Sequence, residues 1–209
     1  MVFDIQFDIE LDELSRKLKT SNTRTEILTT AEKTLNHVQG QWRPSALFQW
    51  FDFKVDSHQK NGLICHQPDH TALNLGCALP FLSPAVQVML CVYTIGDQLD
   101  QKTEECSTRG ELLEAYIIDL IGLLALEKTA EYIKKAAELK ARQQGWGVSP
   151  FLSPGSVHGW KLEEQARLCR LLPIDKIDVS INAHSVLTPF KSIAAIIGIG
   201  PGFTSTRVG

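Results

Sequence analysis

The chain has 209 residues, of which 44% are hydrophobic and 22% charged, ordinary globular usage that excludes a disordered or membrane-embedded chain. Its 21 Lys and Arg against 24 Asp and Glu leave a net charge of −3 with no long basic run, which excludes a dedicated nucleic-acid surface. No stretch approaches the ~18 apolar residues of a membrane span, and the opening MVFDIQFDIELDELSRK is acidic where a secretory signal carries positive charge, so a cytoplasmic protein is expected.

Residues 2–10 set Phe3, Ile5, Phe7 and Ile9 against Asp4, Gln6, Asp8 and Glu10, the period-two pattern of a half-buried strand. A short helix follows through Leu14 and Leu18. Thr23 and Glu26 have the spacing of a capping box, in which a hydroxyl and a carboxylate satisfy each other's orphan amides, so a helix is predicted from about Arg24 to Val38, stopped by Gly40. After the Arg43-Pro44 turn, Ala46 to Val55 reads as an aromatic-rich packed strand, and Asn61-Gly62 turns into another over Leu63 to His66. Cys65, His66 and His70, with Asp69 beside them, raise a metal hypothesis. Zinc sites need about four ligands and no second paired cluster occurs, so these residues are read as structural and no metal is expected.

Val86 to Ile95 is the most apolar strand candidate and is expected to be central. Residues 109–144 give the longest helix pattern, Leu113, Tyr116, Leu120, Leu123 and Leu126 recurring at spacings of three and four. Leu112, Ile117, Ile121 and Leu124 widen that stripe, so burial on all sides is predicted for the first half and a solvated, Lys-rich face for the second. Gly145-Trp146-Gly147 ends it. Ser153-Pro154-Gly155 is a turn, because proline presets the φ of one central position and glycine accepts the positive φ of the next, and its backbone amides can approach a ligand. A short amphipathic helix from Trp160 to Leu172 stops at Pro173, and strands are predicted over Ile177 to Ile181 and Ile193 to Ile199. The tail from Gly202 reads as frayed. Of five cysteines, odd in number and without a Cys-x-x-Cys pair, Cys65, Cys77, Cys91 and Cys169 are expected buried and Cys106 exposed. The order of strands and helices fits α+β with a mostly antiparallel sheet.

Ser153-Pro154-Gly155, then Trp160-x-Leu162-x-x-Gln165, Leu171-Leu172-Pro173, a strand, Pro189-x-Lys191-Ser192 and Ile196-Ile197-Gly198 stand in an order that resembles the activation domain of cobalamin-dependent methionine synthase and its stand-alone relatives. Thr94-Ile95-Gly96 resembles a turn of the same family. The resemblance implies a twisted, mostly antiparallel sheet flanked by helices, one unit over residues 1–209 with an N-terminal part to about 105, the long helix, and a motif-bearing part over 149–201. It also implies a mechanism with no catalytic side chain. S-adenosylmethionine is presented to a cobalamin held by a partner, a corrinoid-binding or methyltransferase protein, whose inactive cobalt(II) form is reduced and methylated back to activity.

In that family an Arg-x-(Ser/Ala)-Pro-Gly-Tyr segment holds the ligand, largely through backbone groups. Carried over, the cofactor-binding residues are Phe151, Ser153, Pro154, Gly155 and Ser156. Phe151 replaces the arginine and Ser156 the tyrosine, and the spacer to Trp160 is one residue longer. A guanidinium fork has no substitute in phenylalanine, so another cation, Lys191 or Arg170, would have to meet the ligand's carboxylate. Trp160 is expected to pack the turn onto the core. The alternative is a module that docks on a corrinoid protein or other partner without S-adenosylmethionine, and a third reading recruits His158 or His184 to a different small molecule. No phosphate loop, nucleophile elbow or dinucleotide fingerprint is present.

Overall fold

A computed structural model describes residues 2–18, 25–56, 61–65, 70–156 and 158–203. In chain order they form β1 (Val2–Asp4), α1 (Leu11–Lys17), α2 (Thr25–Val38), β2 (Ser45–Asp56), β3 (Asn61–Cys65), β4 (His70–Leu73), α3 (Leu79–Leu82), β5 (Gln87–Thr94), α4 (Gln98–Thr108), α5 (Leu112–Gln143), β6 (Gly147–Val148), α6 (Glu164–Cys169), β7 (Ser180–Ile181), β8 (Leu187–Thr188) and β9 (Ser192–Gly200). A seven-stranded antiparallel sheet runs β4-β3-β2-β5-β9-β6, with β1 also on β2; β7 and β8 make a separate pair. The architecture is α+β.

Period two divides the sheet between two cores. Met89, Cys91 and Tyr93 of β5 and Ala195 and Ile197 of β9 enter one core with α1, α2, α4 and α5. Val88, Leu90 and Val92 of β5, Ala194 and Ile196 of β9, and Leu47, Phe51 and Phe53 of β2 enter the other, closed by Leu82, Leu152, Trp160, Leu168 and Leu187. A sheet covered on both faces explains why β5 and β9 read as continuous apolar runs.

Several expectations change. The N-terminal alternation holds as burial, with Ile5 and Ile9 inside and Gln6, Asp8 and Glu10 outside, but ladder pairing covers only Val2–Asp4 against Ser45–Leu47. Pro44, next along the partner chain, has no N–H to extend it. The helix before Gly40 forms, while Thr23, its expected cap, lies outside the described residues; a reciprocal capping contact is present at α1, where the Glu10 N–H donates to the Glu13 carboxylate at 2.9 Å. Helix α4 was not predicted, because only Leu99 and Cys106 of its eleven residues turn inward. That helix buries Cys106, whereas Cys77 is exposed and Cys65 half-buried, reversing two of the expectations for thiols.

The helix expected over 160–172 is regular only over Glu164–Cys169. The strand expected over 177–181 shrinks to Ser180–Ile181, since Ile174–Ile177 is a 3₁₀ turn and Asp178 takes a left-handed φ of 54°. Within α5 the inner face is buried as predicted. Leu112, Leu113, Tyr116 and Leu123 are nonetheless exposed.

Candidate functional site

Ser153 to Ser156 form a tight turn at the edge of the second core. The Ser156 N–H donates to the Ser153 carbonyl at 3.1 Å, with Pro154 and Gly155 in the central positions and Gly155 at φ 82°. These are the demands of a type II turn, met by the two residues best suited to them. A Cβ on Gly155 would lie 3.5 Å from Leu162 Cδ1, an ordinary contact, so φ and not space selects glycine here.

Every amide the turn owns already has an acceptor within the chain. Besides the Ser156 bond, the Gly155 N–H donates to the Trp160 carbonyl at 2.9 Å and the Ser153 N–H donates to Ser156 Oγ at 3.2 Å. The Ser156 hydroxyl donates in turn to the Ser153 carbonyl at 2.7 Å. Pro154 has no N–H at all. In this conformation the turn therefore presents carbonyl oxygens, which suit the donors of an adenine amino group, ribose hydroxyls or an ammonium. A ligand carboxylate would need a donor from elsewhere.

The turn is anchored on both sides. Ser149 and Leu152 run along β9, with the Leu152 N–H and carbonyl bonded to Ile196 at 3.1 and 2.8 Å and the Gly198 N–H on Ser149 Oγ at 2.8 Å. Trp160 is 2% exposed and packs in the second core as expected, its Nε1 enclosed without a partner among the described residues. Gly159 lies so close to Gly76 that a Cβ there would collide with the Gly159 carbonyl oxygen. The Asn74 N–H donates to the Glu164 carboxylate at 3.0 Å, and Gln165 Nε2 donates to the Ser185 carbonyl at 2.7 Å, so α6 clamps β4 to the loop before β8. The sequence reading missed the 74–77 segment, whose signals were Asn74, which takes the Gly76 N–H on its Oδ1 at 3.3 Å, and Gly76 itself.

Phe151 is half-buried, and its ring meets Tyr93 edge-on with centroids 5.9 Å apart, so the side chain in the arginine's place packs on the first core. Lys191 is 8% exposed and ion-paired to Asp100 and, at 2.9 Å, to Asp119. Burial works against its charge, but the hydrogen bonds to the two carboxylates outweigh it and hold the ammonium above its ordinary range. It is already committed. Arg170 is exposed, with no side-chain partner among the described residues. His158 and His184 are exposed, and the His184 backbone N–H is held by Asn182 Oδ1 at 2.9 Å.

Cys65 and His70 stand opposite each other in the β3–β4 register, while His66 and Asp69 lie outside the described residues. Three surface cavities, of about 600, 360 and 310 Å³, lie away from the turn: one beside Trp42 and Arg43, one among α2, α4 and α5, and one between α1 and α5. No helix among the described residues is long and apolar enough to cross a membrane.

No protein-family model and no curated protein matches the chain. Among solved structures it is similar to the MetH reactivation domain, crystallised with AdoHcy bound: the TM-score is 0.71 at 12% identity, over 98% of this chain and 80% of that one. At that identity the likeness is one of fold, and the chain has the α+β architecture of that domain.

Proposed function

We propose that the chain, acting as one unit over residues 1–209, binds S-adenosylmethionine at the Ser153–Ser156 turn and presents it to a cobalamin held by a partner, serving the reactivation of a corrinoid methyltransferase. One observation carries the reading: nearly the whole chain follows the fold of a domain crystallised with AdoHcy, and it keeps a Ser-Pro-Gly type II turn. In this reading the carbonyls of Pro154 and Gly155 meet donors of the ligand, Phe151 and Trp160 hold the turn in place, and Arg170 is the cation left to meet the carboxylate. When bound, the ligand supplies the sulfonium methyl group; the protein supplies orientation.

A second reading has its own support. Phe151 offers no guanidinium, the turn's amides are occupied, and Lys191 is neutralised by Asp100 and Asp119. A module that docks on a corrinoid protein without S-adenosylmethionine needs none of these groups. Calorimetric titration with S-adenosylmethionine and with AdoHcy separates the two. Saturable binding that Gly155→Val abolishes supports the first; no heat at ~1 mM ligand, from a folded protein, supports the second.

A further inference from the structure

Helices α2, α4 and α5 surround an open cavity of about 360 Å³, at the lower end of the range for small-molecule sites and away from the Ser153–Ser156 turn. Its floor takes one buried side chain from each helix: Thr34, 7% exposed, Cys106 and Ile118. Thr29 and Thr30 of α2 return their hydroxyls to the helix, donating to the Thr25 and Glu26 carbonyls, each at 2.9 Å. Thr34 does not. Its hydroxyl has no hydrogen-bond partner among the described residues, although the side chain is buried on the cavity floor.

The rim keeps opposite charges apart. Two ion pairs on it cancel, Arg109 with Glu111 at 2.8 Å and Lys102 with Glu105 at 3.9 Å. What remains is the Lys33 ammonium and the His37 imidazole, one turn apart on α2, and the half-buried Glu114 carboxylate on α5. Among the described residues none of these three side chains has an ion-pair or hydrogen-bond partner. Two donors on one wall and a free carboxylate on another suit a molecule that carries both a carboxylate and an ammonium. No Phe, Tyr or Trp lines the cavity, so a quaternary ammonium finds no aromatic cage, whereas a primary ammonium hydrogen-bonds to a carboxylate.

We propose that this cavity binds a free α-amino acid with a short, uncharged polar side chain. The ligand's carboxylate meets Lys33 and His37, and its ammonium meets Glu114. Its side chain reaches the floor, where the Thr34 hydroxyl donates to or accepts from its polar atom. A charged side chain would lose its hydration against Cys106 and Ile118, and a wholly apolar one would leave the hydroxyl unpaired. The charged contacts lie at a solvated rim, so binding is weak, in the high-micromolar to millimolar range. The site stands apart from the turn and does not depend on S-adenosylmethionine binding there.

Titration of the ¹⁵N-labelled full chain with L-serine, L-threonine, L-asparagine and L-glutamine, each to ~10 mM, tests it. At least one is expected to give saturable amide shifts over residues 30–37, 105–109 and 111–118. For that amino acid Glu114→Gln should weaken binding at least ~tenfold, because a charge-assisted contact is lost, and Thr34→Val at least ~threefold, both with the circular dichroism spectrum unchanged. Lys33→Met, at an exposed position, should also weaken binding at least ~tenfold and serves where Glu114→Gln disturbs the fold. L-leucine should bind more weakly and be indifferent to Thr34→Val. No saturable shift from any of the four, or shifts confined to the Ser153–Ser156 turn, overturns the proposal. Binding unchanged by Glu114→Gln and Lys33→Met, or by Thr34→Val, also overturns it.

Discussion

At Gly155 the backbone sits at φ 82°, where a side chain has room beside Leu162 but the wrong conformation. Gly155→Val should therefore cost about 1–2 kcal/mol, read as a lowered denaturant midpoint, and an unchanged midpoint would mean the turn is not held in this form. The thiols divide by burial. Cys77 is exposed, Cys65 half-buried, and desolvation pushes the Cys169 thiol up to about 12 and Cys91 higher still. Iodoacetamide at neutral pH is expected to label Cys77 first and Cys65 more slowly, with Cys91, Cys106 and Cys169 labelled only on unfolding, as peptide mass mapping would report. The turn was legible in the sequence because its chemistry is local to Ser153, Pro154 and Gly155. That its amides are spent was not legible, since the Gly155 N–H ends on the Trp160 carbonyl, whose return depends on Gly76 and the second core.

The elements legible from pattern were those with many inward residues: β2, β5, β9 and α5. Helix α4 was hidden because two inward side chains in eleven residues give no periodicity, and it forms where it does because Leu99, Cys106 and the Lys191–Asp100 pair fix it beside α5 and β9. That pair gives an element-scale prediction. Lys191→Met leaves Asp100 and Asp119 without a counter-ion, and with Asp119 57% exposed the loss should be about 2 kcal/mol in urea unfolding. If Asp100→Asn combined with Lys191→Met recovers nothing, the pair is not what joins the elements. At α1, the Glu10 N–H and then the Lys128 ammonium hold the Glu13 carboxyl below its usual value of 4.5. A lowered folded-state value stabilises the fold above the unfolded one and is lost as pH falls through the folded value. Glu13→Gln should consequently flatten the loss of stability between about pH 5 and pH 3; a profile as steep as that of the unaltered chain would contradict this.

Over the whole molecule, a shared architecture at 12% identity is what a fold set by burial pattern allows, since β5 and β9 require only apolar residues on both faces and α5 an apolar inner stripe. The sequence over-read the first half of α5 as wholly enclosed, because periodicity reports how wide an apolar face is and not whether a single chain covers it. The central claim is that the Ser153–Ser156 turn receives S-adenosylmethionine, and amide chemical-shift mapping during titration of ¹⁵N-labelled protein with AdoHcy tests it most directly. Saturable shifts centred on Ser153, Gly155, Ser156 and Trp160 are predicted. Shifts confined to residues remote from the turn, or none at saturating ligand, would contradict the account.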